Sequence, residues 1–266
     1  MSKEIIIKTE RTTNYVYLNN EESSVPTVFL HGFTGSHRSW NEVVDRLGFR
    51  AITVDLPGHG FSVFNNLGTE YSIDDWCEDF NKILDDLGVD AVNLCGYSMG
   101  GRLAIAFAAK YPHKINRLIL ESASYGVEDK KKREERFQED LKLCRLIEKD
   151  LAEFVQKWQN NPLFSNQKRR RPQSFLNQQK ERLSHDPRQL SKALSSFSQG
   201  KMRFYKNSFA EFKFPITVIN GADDLKYIEM GKILCRMNRK ATQCILDSAG
   251  HNTHLENVSK FIVCLK

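Results

Sequence analysis

With 266 residues, 30.7 kDa, 40% hydrophobic and 27% charged residues, the chain has the size and balance of one globular domain able to carry an insertion, which excludes a disordered or fibrous protein. Its 39 Lys and Arg against 33 Asp and Glu leave a net charge of +6, so the placement of that excess matters more than its size. No apolar run reaches membrane-spanning length, and the start Met1-Ser2-Lys3-Glu4 lacks the basic-then-apolar pattern of a secretion signal, which predicts a cytoplasmic protein with no membrane span. In chain order, residues 3–18 alternate as a hairpin turning around Glu10-Arg11-Thr12-Thr13, an antiparallel edge for a sheet. The apolar strand Thr27-Val28-Phe29-Leu30 runs into His31-Gly32-Phe33-Thr34-Gly35. Ala51-Ile52-Thr53-Val54-Asp55 is a further strand, closed by Leu56-Pro57-Gly58-His59-Gly60, in which His59 reads as a structural residue of a glycine-flanked turn. Residues 71–87 place Ile73, Trp76, Phe80, Ile83, Leu84 and Leu87 on one helical face. Then come the buried strand Ala91-Val92-Asn93-Leu94-Cys95, the turn Gly96-Tyr97-Ser98-Met99-Gly100-Gly101, and a helix over 102–110 that stops near Pro112. Leu118-Ile119-Leu120-Glu121 is the next strand.

Strand, G-x-S-x-G and helix together form the nucleophile elbow of α/β-hydrolases. Small residues two before and two after the serine let strand and helix meet closely, so Ser98 sits in a strained turn at the positive end of the helix. An activated serine needs a histidine, and the histidine needs a carboxylate to orient it. Both follow in the order this fold uses. Phe214-Pro215-Ile216-Thr217-Val218-Ile219 is a late strand, and either Asp223 or Asp224 at its carboxyl end is the candidate orienter. Thr242-Gln243-Cys244-Ile245-Leu246 is the last strand, and His251 on the loop beyond it is the candidate base. Upstream, the backbone N–H of Phe33 could join that of Met99 as an oxyanion hole. The fold class expected is α/β, with a mostly parallel central sheet, helices on both faces and an inserted helical lid.

Between 122 and 213 the strand–helix rhythm stops. This stretch is read as the lid, and 1–121 with 214–266 as the core. The lid holds 21 Lys and Arg against 12 Asp and Glu, a net of +9, which leaves −3 for the rest of the chain. Lys130-Lys131-Lys132-Arg133 and Lys168-Arg169-Arg170-Arg171 lack interleaved aromatics, so they read as solvated surface and not as a nucleic-acid site. A basic lid over a catalytic mouth suits an anionic small molecule. Arg102, four residues after Ser98, falls on the same face of the elbow helix. Either a substrate carboxylate or an internal salt bridge to a lid carboxylate must offset its desolvation, and the substrate is the preferred reading. His251 and His254 have no accompanying acidic or cysteine cluster, so no metal is expected, nor any cofactor. The six cysteines form no C-x-x-C pair and read as free thiols of a reducing compartment.

The segments 31–35, 55–60, 96–102 and 250–257, with Glu121, Arg133-Glu134-Glu135-Arg136, Trp158 and Asn161-Pro162-Leu163-Phe164, together resemble the 2-succinyl-6-hydroxy-2,4-cyclohexadiene-1-carboxylate synthases of menaquinone biosynthesis. The likeness spans nearly the whole chain. It implies a carbon–oxygen lyase that expels pyruvate from an enolpyruvyl cyclohexene bearing three carboxylates, with the serine as base and the enolate oxygen in the oxyanion hole. It further implies Ser98, Asp224 and His251 as the triad, and Tyr97, Arg102, Arg136, Trp158 and Phe164 as the substrate pocket; a monomer is the expectation for the chain, with an oligomer left open. On the same scaffold stand two alternatives: a carboxylesterase or C–C hydrolase with Ser98 as covalent nucleophile, and a ligand receptor without turnover.

Overall fold

The computed structural model describes residues 3–19, 25–164 and 166–266. The chain opens on β1 (Lys3–Lys8) and β2 (Thr12–Leu18), which pair antiparallel as the predicted hairpin. Then follow β3 (Thr27–Leu30), a 3₁₀ turn His37–Trp40, α1 (Asn41–Val44), β4 (Ala51–Val54) and the two-residue β5 (Val63–Phe64). Helix α2 (Ile73–Asp86) starts at a capping box in which Ser72 Oγ accepts the Asp75 N–H and Asp75 accepts the Ser72 N–H. The elbow joins β6 (Val92–Tyr97) to α3 (Met99–Lys110), and β7 (Ile115–Glu121) returns to the sheet.

Five helices come next: α4 (Lys130–Lys149), α5 (Leu151–Gln159), α6 (Gln167–Arg170), α7 (Pro172–Leu183) and α8 (Pro187–Ser196). After α9 (Lys206–Glu211) the core resumes with β8 (Ile216–Gly221), α10 (Leu225–Met237), β9 (Ala241–Leu246), α11 (Thr253–Glu256) and α12 (Val258–Leu265). The strand order is β1-β2-β4-β3-β6-β7-β8-β9, with β5 on β2; from β4 to β9 every pairing is parallel. No helix among the described residues is long and apolar enough to cross a membrane.

Alternation along the strands fills both faces of the sheet. Val28 and Leu30 of β3 with Leu94 of β6 enter a core shared with α2 and α3, while Phe29 and Cys95 point to the opposite layer with Trp40 and Phe261. Helices α4, α5 and α8 bury a smaller core of their own around Cys144, Ile147, Phe154, Leu190 and Leu194. This cap docks on the carboxyl ends of the strands: Phe33 packs into its core, and the Gln189 carboxamide exchanges hydrogen bonds with Phe64. The end of the 122–213 segment lies elsewhere. Phe209 of α9 and Phe212 are buried in the main core, and Asn238 Nδ2 donates to the carbonyls of Phe209 (2.7 Å) and Phe212 (3.0 Å). The continuous helical patterning of the segment hid this change of neighbours.

Candidate active site

β6 ends at Tyr97 and α3 starts at Met99, leaving Ser98 between them at φ 50° and ψ −104°. A non-glycine residue in that region costs about 1–3 kcal/mol and persists only where its surroundings impose it. Here the Ser98 N–H donates to the Glu121 carbonyl at 2.8 Å, and the Ser98 carbonyl accepts the Arg102 N–H at 3.0 Å. The glycines permit the closeness: a Cβ on Gly96 would lie 2.4 Å from the Gly100 carbonyl oxygen, and one on Gly100 2.3 Å from that of Leu30.

His251 leaves the end of β9, and its Nε2 stands 3.2 Å from Ser98 Oγ. Its Nδ1 is 2.6 Å from Asp224 Oδ2, beyond the end of β8. A carboxylate on Nδ1 holds the proton there and leaves the Nε2 lone pair to accept the serine hydroxyl. Asp223 points outward instead, with Asn166 at 2.8 Å and Arg170 at 2.5 Å. Behind the three side chains lies a group that sequence reasoning used only as a landmark. Glu121, fully buried, accepts the Thr253 hydroxyl (2.6 Å), the His254 N–H (2.9 Å) and the His254 Nδ1–H (2.6 Å). Its backbone carbonyl holds Ser98 and its carboxylate holds the turn following His251, so one residue ties the two together.

The Phe33 and Met99 amides have no hydrogen-bond partner among the described residues, as an oxyanion hole requires. Around them stand Tyr97, whose ring lies 5.5 Å from that of His251, and Phe164, at 6.1 Å from the same ring. Trp158 packs edge-on against Phe33 at 5.4 Å, and its buried Nε1–H has no partner among the described residues. Burial pushes the Tyr97 phenol well above its usual range, so it is a neutral donor. A cavity of about 280 Å3 reaches His251 and Asp224 between Leu163 and Leu225.

Arg102 donates from Nη1 to the Phe197 carbonyl at 2.9 Å and has no carboxylate partner among the described residues. Burial first, and then the facing Arg136 charge, push its pKa down to about 10, which still leaves a cation at neutral pH. The internal salt bridge considered for Arg102 falls to Arg136, which binds the buried Asp140 at 3.0 Å. Tyr227, with its ring 4.7 Å from that of His251, is within electrostatic reach of both of these cations and of Asp224.

Sequence reasoning missed Arg182 of α7. It is 4% exposed, sits 5.5 Å above the Phe164 ring, and donates from Nη2 to Gln178 (2.9 Å) and from Nε to Thr34 Oγ1 (3.3 Å). Its buried Nη1 has no partner among the described residues, and Arg182 lines, with Gln178, Tyr97 and Phe33, a narrow cavity of about 20 Å3. No motif marks it; only the packing of α7 brings it there. Among the described residues no group of three His, Cys, Asp or Glu could hold a metal ion, and all six cysteines are free.

Parallel sheet, elbow and serine–histidine–aspartate array define an α/β-hydrolase, and the family model described as the alpha/beta hydrolase fold matches residues 25–258. A protein of Bacillus subtilis (strain 168), provisionally named 2-succinyl-6-hydroxy-2,4-cyclohexadiene-1-carboxylate synthase, is 34% identical over 241 residues, 90% of this chain and 88% of the relative. The synthase of that name from Serratia proteamaculans (strain 568) is 27% identical over 90% of this chain and 91% of its own length. The solved structure of MenH from S. aureus superposes with a TM-score of 0.89 at 27% identity, covering 97% of both chains. The chain belongs to the 2-succinyl-6-hydroxy-2,4-cyclohexadiene-1-carboxylate synthase family of α/β-hydrolase-fold proteins.

Proposed function

We propose that this protein eliminates pyruvate from 2-succinyl-5-enolpyruvyl-6-hydroxy-3-cyclohexene-1-carboxylate, with Ser98 as the base and without cofactor. The observation that carries this reading beyond the fold is a pair of guanidinium groups, the buried Arg182 and the part-buried Arg102, that have no carboxylate partner among the described residues. A buried cation costs several kcal/mol unless an anion meets it, and a substrate with three carboxylates supplies that anion. A neutral ester does not.

His251, oriented by Asp224, takes the Ser98 proton as the serine oxygen removes the ring proton next to the succinyl carbonyl. The carbonyl oxygen becomes an enolate and lies at the Phe33 and Met99 amides, placed for charge that develops in the transition state. The electron pair passes through the ring double bond and breaks the C–O bond to the enolpyruvyl group. Pyruvate leaves as its enolate and takes up one proton, so protons and electrons balance without water. Trp158, Tyr97 and Phe164 shape the pocket, and Arg136, held by Asp140, lies on the Arg102 side of it, where the two cations together favour a substrate carboxylate. The reading includes a cytoplasmic monomer, to which six free thiols are suited.

The test is pyruvate release from the enolpyruvyl substrate in ¹⁸O-labelled water. Pyruvate should form with no label entering the ring product, and p-nitrophenyl esters should be cleaved slowly or not at all. Trapping of an acyl group on Ser98, or vigorous ester cleavage without pyruvate release, would establish the hydrolase alternative instead.

A further inference from the structure

Thr34 and His185 meet across the join between core and cap. Thr34, buried in the oxyanion loop at φ 68°, occupies a backbone region that β-branched residues avoid. Its carbonyl accepts a hydrogen bond at 3.0 Å from Nε2 of His185, a 5% exposed residue between α7 and α8. The other ring nitrogen, Nδ1, accepts the Gly60 N–H at 3.3 Å, which fixes the tautomer with the proton on Nε2. Burial lowers the pKa of this ring, so it remains a neutral single donor.

In a trans peptide the C=O and N–H point in opposite directions, and the described chain has no cis bond. Holding the Thr34 carbonyl therefore aims the Gly35 N–H, which donates to the Gly32 carbonyl at 3.1 Å. Holding the Gly32 carbonyl in turn aims the Phe33 N–H into the site. His31 Nδ1 holds the same oxygen from the core side at 2.8 Å, with its Nε2 accepting the Leu56 N–H at 3.0 Å. Two peptides, Thr34–Gly35 and Gly32–Phe33, joined by the Gly35-to-Gly32 hydrogen bond, thus relay the position of a cap histidine to the oxyanion donor.

We propose that His185 is a positioning residue for the oxyanion hole: the docked cap, through His185, sets the direction of the Phe33 amide, so the hole is complete only when the cap is seated. This rests on the reading of Phe33 as an oxyanion donor, and it adds a cap residue that touches neither the reacting serine nor the base. Cap closure and transition-state stabilisation are then one event. Substrate bound under the cap is thereby committed to reaction, and an open site with its serine exposed is a poor catalyst.

The experiment compares His185→Ala and His185→Gln with the wild type in two assays: pyruvate release, and the rate of covalent labelling of Ser98 by a fluorophosphonate. The second reads the serine and the oxyanion hole whatever the natural substrate is. His185→Ala should lower kcat about 10–100-fold, less than or equal to the loss of a whole oxyanion donor, with KM changed less than about threefold. Labelling should slow by a similar factor. His185→Gln, whose Nε2–H can reach the Thr34 carbonyl, should recover most of both. Slowed labelling in a protein that releases no pyruvate even as wild type would uphold the role of His185 and sink the substrate reading. An unchanged labelling rate, a rise in KM with kcat preserved, or a glutamine variant no better than alanine would overturn the proposal and leave His185 as a cap-docking contact.

Discussion

Asp223 and Asp224 are adjacent in sequence, yet the chain turns one inward and one outward. Asp224 is 7% exposed and faces His251, whereas Asp223 makes a surface ion pair with Arg170. Only the first can control the imidazole tautomer. Asp224→Asn should therefore lower kcat about 10³–10⁴-fold. Asp223→Asn should cost less than about fivefold, the ordinary worth of a partly exposed pair. Steady-state kinetics on the two variants decide between them, and equal losses would move the orienting role to Asp223. Arg102 invites the complementary test. With the Phe197 carbonyl as its one side-chain partner among the described residues, its replacement by Ala removes a charge-assisted contact worth roughly 1.5–3 kcal/mol, or about 10–100-fold in efficiency on the anionic substrate. Fluorophosphonate labelling of Ser98 should be unaffected, because no substrate carboxylate takes part. A matching drop in labelling would show that Arg102 supports the elbow and not the substrate.

Whole elements were legible where the signal was local. Gly96-Tyr97-Ser98-Met99-Gly100 between an apolar strand and a helix admits little but the elbow, and the hairpin, α2 and the late strands announce themselves by period and caps. The cap was legible only as helices. Which of its side chains reach the site depends on how α7 and α8 lie against the oxyanion loop, and that is decided by packing between distant residues. Arg182 and His185 therefore carried no signal, and α9 looked like cap although Phe209 is buried with the core. The same contacts create a pH-sensitive joint. The rings of His31, His59 and His185 come from three elements and lie near one another, His59 at 5.0 Å from His31 and 5.5 Å from His185. Burial lowers the pKa of each, that of His31 to about 4. In the unfolded chain these rings protonate near 6.5, so the folded state binds fewer protons between those values. Stability is complete above about 6.5 and declines as pH falls toward 4, by about 3 kcal/mol for His31 alone. Glu181 and Glu256, whose carboxyl groups burial pushes up, oppose this trend. Thermal melting between pH 7 and pH 4.5 should show the decline. His59→Asn, which can keep a donor to the Pro57 carbonyl in place of His59 Nδ1, should flatten it; an unchanged slope would assign the acid sensitivity to other groups.

At the scale of the molecule, the charge is divided. Residues 122–213 carry +9 and the remainder −3. Part of that division docks the cap: Arg170 pairs with Glu256 and Asp223, Arg171 with Glu42, Lys201 with Glu70, and Arg203 with Asp74, each joining the basic segment to the acidic core. What is left over faces solvent. Lys168 and Arg169 are exposed, and neither forms an ion pair among the described residues. Residual positive charge near a cavity that leads to His251 raises the local concentration of a polyanion and speeds its capture, within a range of about 10 Å set by screening at 0.1 M salt. This predicts that kcat/KM for the tricarboxylate falls several-fold as salt rises from about 20 to 300 mM, while kcat at saturation stays level. Salt could also act by loosening the cap, and the two causes separate. The double variant Lys168→Glu, Arg169→Glu removes steering but no cap–core ion pair. It should lower kcat/KM at low salt, leave kcat unchanged, and converge on the wild type above about 0.5 M salt, where the Debye length shrinks to a few Å. A deficit that persists at high salt, or a kcat that falls with it, would mean that the substitutions disturb cap packing and that the basic surface has no part in drawing substrate in.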